Sequence, residues 1–372
     1  MAAGYLSDQR PCCDSRCGCR YHCSSGCNSG CRSGDLRTLH WRLSPWRIRD
    51  RSPRLKGRRV TRYATARIPA VGREPPLRTE AFPAWMTTRQ ANQTGGMAQL
   101  SPACRNDLEA IAVPRHSSWD PLGLMAVRSH VRHQLAALGQ VEEQRFRDGS
   151  HEGVNLILKL AGRNPRRRPL LIGAHYDGPL NSTGADDNAS AVAALLELGR
   201  RWSTAPPRRP VWLVAFDLEE WGLLGSAALA EQLRAEQQRL KLMVSLEMLA
   251  YTSDSQSYPH PAMGRVYGNR GDFIALVANA RAGLMLSRLT LAMGQHVKTR
   301  ALPVPRAGID VPAVRRSDHS PFWDRGYNAL MVTDTSFMRN PHYHQMSDTI
   351  DTLDLPFLAS VINGLEVALG TL

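Results

Sequence analysis

The run PLLIGAHYDGPLNSTGADDNASAVAALLELGRRWSTAPPRRPVWLVAF, residues 169–216, decides the fold. Its first apolar stretch, Pro169–His175, and its last, Val211–Phe216, are short, bounded by turn residues, and read as strands. Between them Ser190–Trp202 reads as a helix. A strand, a helix and a strand of this kind imply a βα unit in a sheet with both faces covered.

The same alternation extends in both directions. Toward the N-terminus, Pro121–Gly139 sets Leu124, Val127, Val131, Leu135 and Leu138 at helical spacing with a glycine as its stop, and Val154–Leu160 reads as a strand ahead of the turn-like GRNPRRR. Toward the C-terminus follow a helix at Leu223–Ala235, a strand at Leu240–Met248, a helix at Asp318–Arg325, a strand at Ala329–Thr333 and a closing helix at Leu355–Leu372. No repeat of fixed period is visible, which argues against a solenoid. The expectation is a single α/β domain over residues 97–372, with a central mixed, mostly parallel sheet flanked by helices on both faces.

Composition separates residues 1–96 from the rest. The chain has 372 residues and a formal charge of +14, yet 18 of its 47 Lys and Arg and only 6 of its 33 Asp and Glu lie in residues 1–96. Residues 97–372 are left with 29 basic and 27 acidic side chains, so the body is nearly neutral. Seven cysteines, Cys12 to Cys31, crowd into the same basic segment without the paired spacing of a zinc site. An organelle transit peptide or a basic nucleic-acid arm fits those cysteines poorly. Residues 1–96 are therefore expected to be disordered and need not belong to the native protein, because Met86 and Met97 both precede the patterned region. With no secretory signal and no apolar run near the ~18 residues of a membrane span, the expectation as the sequence stands is a cytoplasmic protein, with export left open by the doubtful N-terminus.

Polar groups of one kind recur where strands end. His175 and Asp177 close one strand, Asp186 and Asp187 precede a helix, Glu219 and Glu220 follow another strand, Glu247 ends a third, and His344 has Asp348 four residues on. Taken singly each has an ordinary reading: a hydrogen-bonded histidine, helix caps, solvent-facing glutamates. Glu247 resists this, since a carboxylate in an apolar strand needs a compensating partner. Strand ends of an open α/β sheet border its crevice, so the groups can converge there. Imidazoles and carboxylates without cysteine favour zinc, and a paired site needs a bridging carboxylate.

The segments GAHYDG, GADDNASAVAALLELGR, FDLEEWGLLGS, SLEMLAY, SDHSPFWDRGYNALMVTDT and NPHYHQMSDTIDTLD resemble, in order, those of the two-zinc aminopeptidase family that contains bacterial leucyl aminopeptidases, aminopeptidase Y and the related glutaminyl cyclases. The resemblance covers residues 170–354 and implies two zinc ions per chain. It assigns His175, Asp186 and Glu247 to one ion and Asp186, Glu220 and His344 to the other, with Asp186 as bridge. It makes Glu219 the general base acting on a metal-bound water, Asp177 the partner that orients His175 and Asp348 a candidate partner of His344. A cis peptide is expected at Asp186–Asp187.

Two departures stand out. Glu247 replaces an aspartate, and Val314 occupies a position where some relatives carry an oxyanion-donating tyrosine, leaving Tyr343, Arg315 and Arg316 as candidates. The implied activity is hydrolysis of the N-terminal peptide bond of peptides with a free N-terminus, without a nucleic-acid partner for the catalytic domain. Met248, Met263, Phe337 and Tyr343 are expected near the site, favouring an apolar terminal residue such as Leu. Glutaminyl cyclisation is the alternative, disfavoured because GADDNAS is intact and EEWGLLGS has no insertion. A binding module without catalysis is a further alternative, against which every expected ligand is present.

Overall fold

The computed structural model describes residues 98–372. The expectation for residues 1–96 falls outside the described residues. In chain order the strands are β1 Val141–Asp148, β2 His151–Leu160, β3 Leu170–His175, β4 Val211–Phe216, β5 Leu242–Glu247, β6 Ile274–Asn279, β7 Thr299–Val304 and β8 Ala329–Thr333. They form one eight-stranded sheet in the order β1-β2-β4-β3-β5-β8-β6-β7. Its centre, β4-β3-β5-β8, is parallel throughout. On one side β2 joins β4 and β1 joins β2, both antiparallel; on the other β6 is antiparallel to β8 and parallel to β7. The sheet is mixed and mostly parallel, as expected.

The helices are α1 Pro102–Ile111, α2 Pro121–Ala136, α3 Ala191–Thr204, α4 Leu224–Ala235, α5 Ala262–Tyr267, α6 Gly283–Met293, α7 His319–Asp324 and α8 Leu355–Gly370. Alternation along the strands sorts the core into two layers. Leu170, Ile172, Ala174, Leu213 and Val244 point toward α1, α2, α3, α6 and α8. Leu171, Val214, Phe216 and Met243 point toward α4 and α7. Helices thus cover both faces. Among the described residues, no helix is long and apolar enough to cross a membrane.

Each element read from the sequence is found within a few residues; β6, α5 and α6 went unread, as did three elements whose lack of signal has an identifiable cause. β1, VEEQRFRD, is an edge strand with charged residues and little burial, so it lacks an apolar signal. β7 contains Pro303, which an edge strand tolerates because one row of its N–H groups has no ladder to join. In α1, Ser101 accepts from the Cys104 N–H and Pro102 occupies the first turn, a cap written in the sequence but attached to a helix of weak apolar pattern.

Gly225 begins the first turn of α4, where its N–H donates to the Asp217 carbonyl and its carbonyl accepts from Asn155 Nδ2. A Cβ there would overlap the Asp217 carbonyl and the Asn155 amide. Gly225→Ala should therefore destabilise the fold by about 1–3 kcal/mol, seen as a lower urea midpoint with little change in slope.

Candidate metal centre

The carboxyl ends of β3, β4 and β5 lie side by side, and the chain leaves each of them carrying chemistry. His175 is the last residue of β3 and Glu247 the last of β5. Beyond β4 the backbone turns through Leu218, at φ 56°, and presents Glu219 and Glu220. Asp187 comes from the loop before α3 and His344 from the segment after β8.

The loop before α3 is set by a residue that sequence reading did not single out. Arg115 is fully buried and donates to the carbonyls of Ile111, Val113, Tyr176, Thr183, Gly184 and Asp187. Its planar fork fixes several directions at once, which a lysine ammonium on a flexible stem cannot match. Gly184 adopts φ 54°, and a Cβ there would collide with the Asp187 carbonyl. No spacing or periodicity in PRHSSWD marks Arg115, because its partners are carbonyls brought in by the fold.

Asp187 lies between the two imidazoles. Its Oδ1 is 3.5 Å from His175 Nε2 and its Oδ2 is 3.1 Å from His344 Nε2. His344 Nε2 is also 3.5 Å from Glu220 Oε2, and His175 Nε2 is 3.8 Å from Glu247 Oε2. Ligand atoms of His175, Glu219 and Glu247 lie within 4.8 Å of one another, as do those of His175, Asp187 and Glu220. His175 Nε2 and Glu220 Oε1 are buried without a hydrogen-bond partner. Orphaned buried atoms of these types, among imidazoles and carboxylates, fit a divalent ion such as zinc.

Three expectations are corrected. Asp186 does not face the imidazoles: its carboxylate accepts from the Ala250 N–H at 3.0 Å, from Ser190 Oγ at 3.2 Å and from Asn340 Nδ2 at 2.8 Å. It also lies against Asp334, and burial with that second carboxylate raises its pKa well above the usual range. The cis peptide is Asp187–Asn188, one residue later than expected. Asp348 is not a partner of His344: its oxygens accept the backbone N–H groups of Asp186 and Asp187 at 3.0 and 3.2 Å. Asp177 does lie beside His175, at 3.4 Å from Nδ1, and also accepts the N–H groups of Glu219 and Glu220, both at 3.1 Å.

The electrostatics follow from this crowding. Burial alone would lower the His175 pKa, but Glu219, Asp177, Asp187 and Glu247 together hold it well above the ordinary value. Burial pushes Glu219 well up, opposed by His175 and reinforced by Glu247 and Glu220. Glu220 is raised in the same way by burial and Asp187. For Asp187 burial acts upward, yet the two imidazoles win and hold its carboxyl below the usual range. A cation placed among these groups relieves the repulsion that raises the glutamates.

Beside Glu247 opens a largely apolar cavity of about 220 Å³, lined among others by Met263, Phe273, Met331, Phe337 and Tyr343. Met248 is not part of this lining; it is buried, with its N–H on Asn188 Oδ1. Arg316 reaches the rim, 3.3 Å from Tyr343 Oη, whereas Arg315 is engaged by Asp324 at 2.8 Å and the Ala307 carbonyl at 2.7 Å. Val314 is buried in the layer beneath α4 and α7. Ser317, also missed from sequence, donates to Glu247 Oε2 at 2.8 Å.

The profile described as Peptidase family M28 matches residues 155–366. The Escherichia coli (strain K12) protein YfbL is 36% identical over 221 residues, covering 55% of this chain and 68% of its own. Among solved structures, the Legionella pneumophila LapA aminopeptidase superposes with a TM-score of 0.54 at 17% identity, over 72% of each chain. A glutaminyl cyclase from an Acidobacteriales bacterium superposes with a TM-score of 0.55 at 21% identity, over 75% of this chain and 97% of its own. Similarity at that level shows a shared fold and leaves the chemistry to the site.

Arg115→Lys keeps the positive charge but not the fork, so several buried carbonyls lose their donor. The substitution should destabilise the protein by about 2–4 kcal/mol. It should also speed amide exchange selectively in residues 176–190, the segment whose carbonyls Arg115 holds. Unchanged exchange in that segment would show that Arg115 does not set it.

Proposed function

Because the chain belongs to peptidase family M28, we propose that it is a two-zinc aminopeptidase that hydrolyses the N-terminal peptide bond of peptides. The observation that carries the reading is the Asp187 carboxylate, whose two oxygens face two different imidazoles at 3.5 and 3.1 Å. Asp187 would hold both ions, His175 and Glu247 would join it on one, and Glu220 and His344 would join it on the other. Zinc bound there supplies a Lewis acid that polarises the scissile carbonyl and eases the ionisation of water.

The remaining steps fall to the chain. Glu219 lies against His175 and Glu247 without a bridging position of its own, so it takes the proton of the attacking water and delivers it to the leaving amine. Asp177 holds the backbone N–H groups of Glu219 and Glu220 and lies beside His175 Nδ1, fixing the turn and the ring together. The apolar cavity beside Glu247 suits an apolar side chain on the terminal residue. Tyr343 and Arg316 at its rim offer donors for the developing oxyanion.

Two substitution pairs test the assignments. Asp187→Asn should abolish binding of two zinc equivalents, while Asp186→Asn, remote from both imidazoles, should retain them; the reverse result would restore Asp186 as the bridge. Glu219→Gln should keep both ions while kcat falls ~10²–10⁴-fold. Glu220→Gln should instead lose zinc, with activity partly recovered by added metal. Turnover near normal in Glu219→Gln at full occupancy would remove it from the mechanism.

Substrate polarity is tested separately. N-acetylation of a good peptide substrate should lower kcat/KM by at least ~10²-fold, because a site built around a terminal amine is left with an unpaired polar group. Equal turnover of blocked and free peptides would point to another peptidase class. Ammonia release from N-terminal glutamine without peptide cleavage would point to cyclisation.

A further inference from the structure

The end of the sheet opposite the metal centre is a second, differently charged surface, and we propose that it docks the protein on an anionic lipid surface. The proposal does not depend on the peptidase reading.

Parallel topology creates it. The strands β4, β3, β5 and β8 begin at one edge, and the loops that enter them carry Arg208 and Arg209, Arg166 to Arg168, Lys241, and Arg325 respectively. β6 runs antiparallel to β8, so its end reaches the same edge and leads through Arg281 into α6, which bears Arg288. Neighbouring strands lie ~4.8 Å apart, so these cations, carried by five adjacent strands, spread across roughly 19 Å rather than along one line. They share one field. Burial with Arg167, Arg208 and Arg168 lowers the Arg209 pKa, and burial with Arg209, Arg288, Arg168 and Arg167 lowers that of Lys241.

Acidic groups at this end are few and engaged. Glu231 takes Arg325 at 3.2 Å, Glu236 accepts from Gln232 at 2.8 Å and Glu366 takes Arg201 at 2.8 Å. Among the described residues, Arg166, Arg167, Arg208, Lys241 and Arg288 enter no ion pair. The body as a whole is nearly neutral, 29 basic against 27 acidic residues from position 97 onward, so this excess reflects segregation of charge between the two ends.

An apolar side chain decides the class of partner. Leu284, on the first turn of α6, is 84% exposed and lies between Arg281 and Arg288 in sequence; Leu291, one further turn beyond Arg288, is 50% exposed. Large aliphatic groups within a cationic rim suit the boundary between headgroups and acyl chains. A single-stranded nucleic acid would call for aromatic platforms. The aromatic side chains at this end are engaged: Tyr327 is partly buried, with its hydroxyl on the Gln238 carbonyl and its ring against Phe322, and Trp212, near the start of β4, is partly buried beneath the Lys159 ammonium at 4.8 Å. Docked in this way, the protein would turn the carboxyl ends of β3, β4 and β5 away from the bilayer, leaving the cleft open to peptides in solution.

Hydrogen exchange of the full chain tests this, because it reads the surface locally even though residues 1–96 are themselves basic. With vesicles containing about a third phosphatidylglycerol in phosphatidylcholine, at about 0.1 M salt, amides in 163–168, 208–209 and 281–288 should exchange at least ~10-fold more slowly. Pure phosphatidylcholine should give no such protection. The triple variant Arg166→Gln, Arg208→Gln, Arg288→Gln should lose it while hydrolysing peptides at the parental rate, and Leu284→Ser should weaken it at unchanged charge. The proposal is overturned if the vesicles bind the chain without protecting these segments, or if a single-stranded oligonucleotide at equal phosphate concentration protects them as strongly as the vesicles do.

Discussion

Buried negative charge is the constraint on which the site depends. Asp177, Asp186, Asp187 and Asp348 are all buried within one loop system, and Glu219, Glu220 and Glu247 close around it. Carboxylates removed from water need donors or cations. The chain answers in two ways, and the difference sorts structural groups from chemical ones. Asp177, Asp186 and Asp348 each receive backbone N–H groups, which satisfy a carboxylate permanently. Asp187, Glu220 and Glu247 instead face imidazole nitrogens, and Glu220 Oε1 has no hydrogen-bond partner at all.

That sorting explains what the sequence could and could not reveal. His175, Glu219, Glu220 and Glu247 were legible because each stands at the end of a short apolar strand, where an open α/β sheet exposes its residues to one crevice. Asp186 and Asp187 are chemically identical neighbours in GADDNAS, and no local pattern says which of them faces the crevice. The choice is made by distant partners: Asn340 and the Ala250 N–H take Asp186, while Asp348 and Arg115 hold the backbone of Asp187 so that its carboxylate turns to the imidazoles. Arg115 itself was invisible for the same reason. The fold's centre was readable from apolar runs, whereas β1 and β7 at its edges lack such runs because edges face water.

One topological fact gives the molecule its polarity. A stretch of parallel neighbours has two unlike ends, since every strand enters at one and leaves at the other. Here the leaving ends gather acids around imidazoles, and the entering loops gather arginines. Each set repels itself, and each is scattered in sequence across well over a hundred residues. Such self-repulsion costs stability at both ends at once.

The two adjacent glutamates show how little backbone is needed to divide that work. Both N–H groups are held by the same carboxylate, Asp177, at 3.1 Å, so the two residues cannot shift independently. Leu218 at φ 56° and Leu223 at φ 66° bend the chain on either side of them, and the Gly222 and Leu223 N–H groups close on the Glu219 carbonyl. With the backbone fixed, successive side chains must diverge. Glu220 extends to within 3.5 Å of His344, and Glu219 falls beside His175 and Glu247. Burial and like charges raise the pKa of both glutamates, so direction and not acidity distinguishes them: in the proposed reading Glu220, aimed at the far imidazole, would hold an ion and Glu219 would carry the proton. Ligand and base are thus separated by direction from a single clamped turn, with no difference in side-chain chemistry between them.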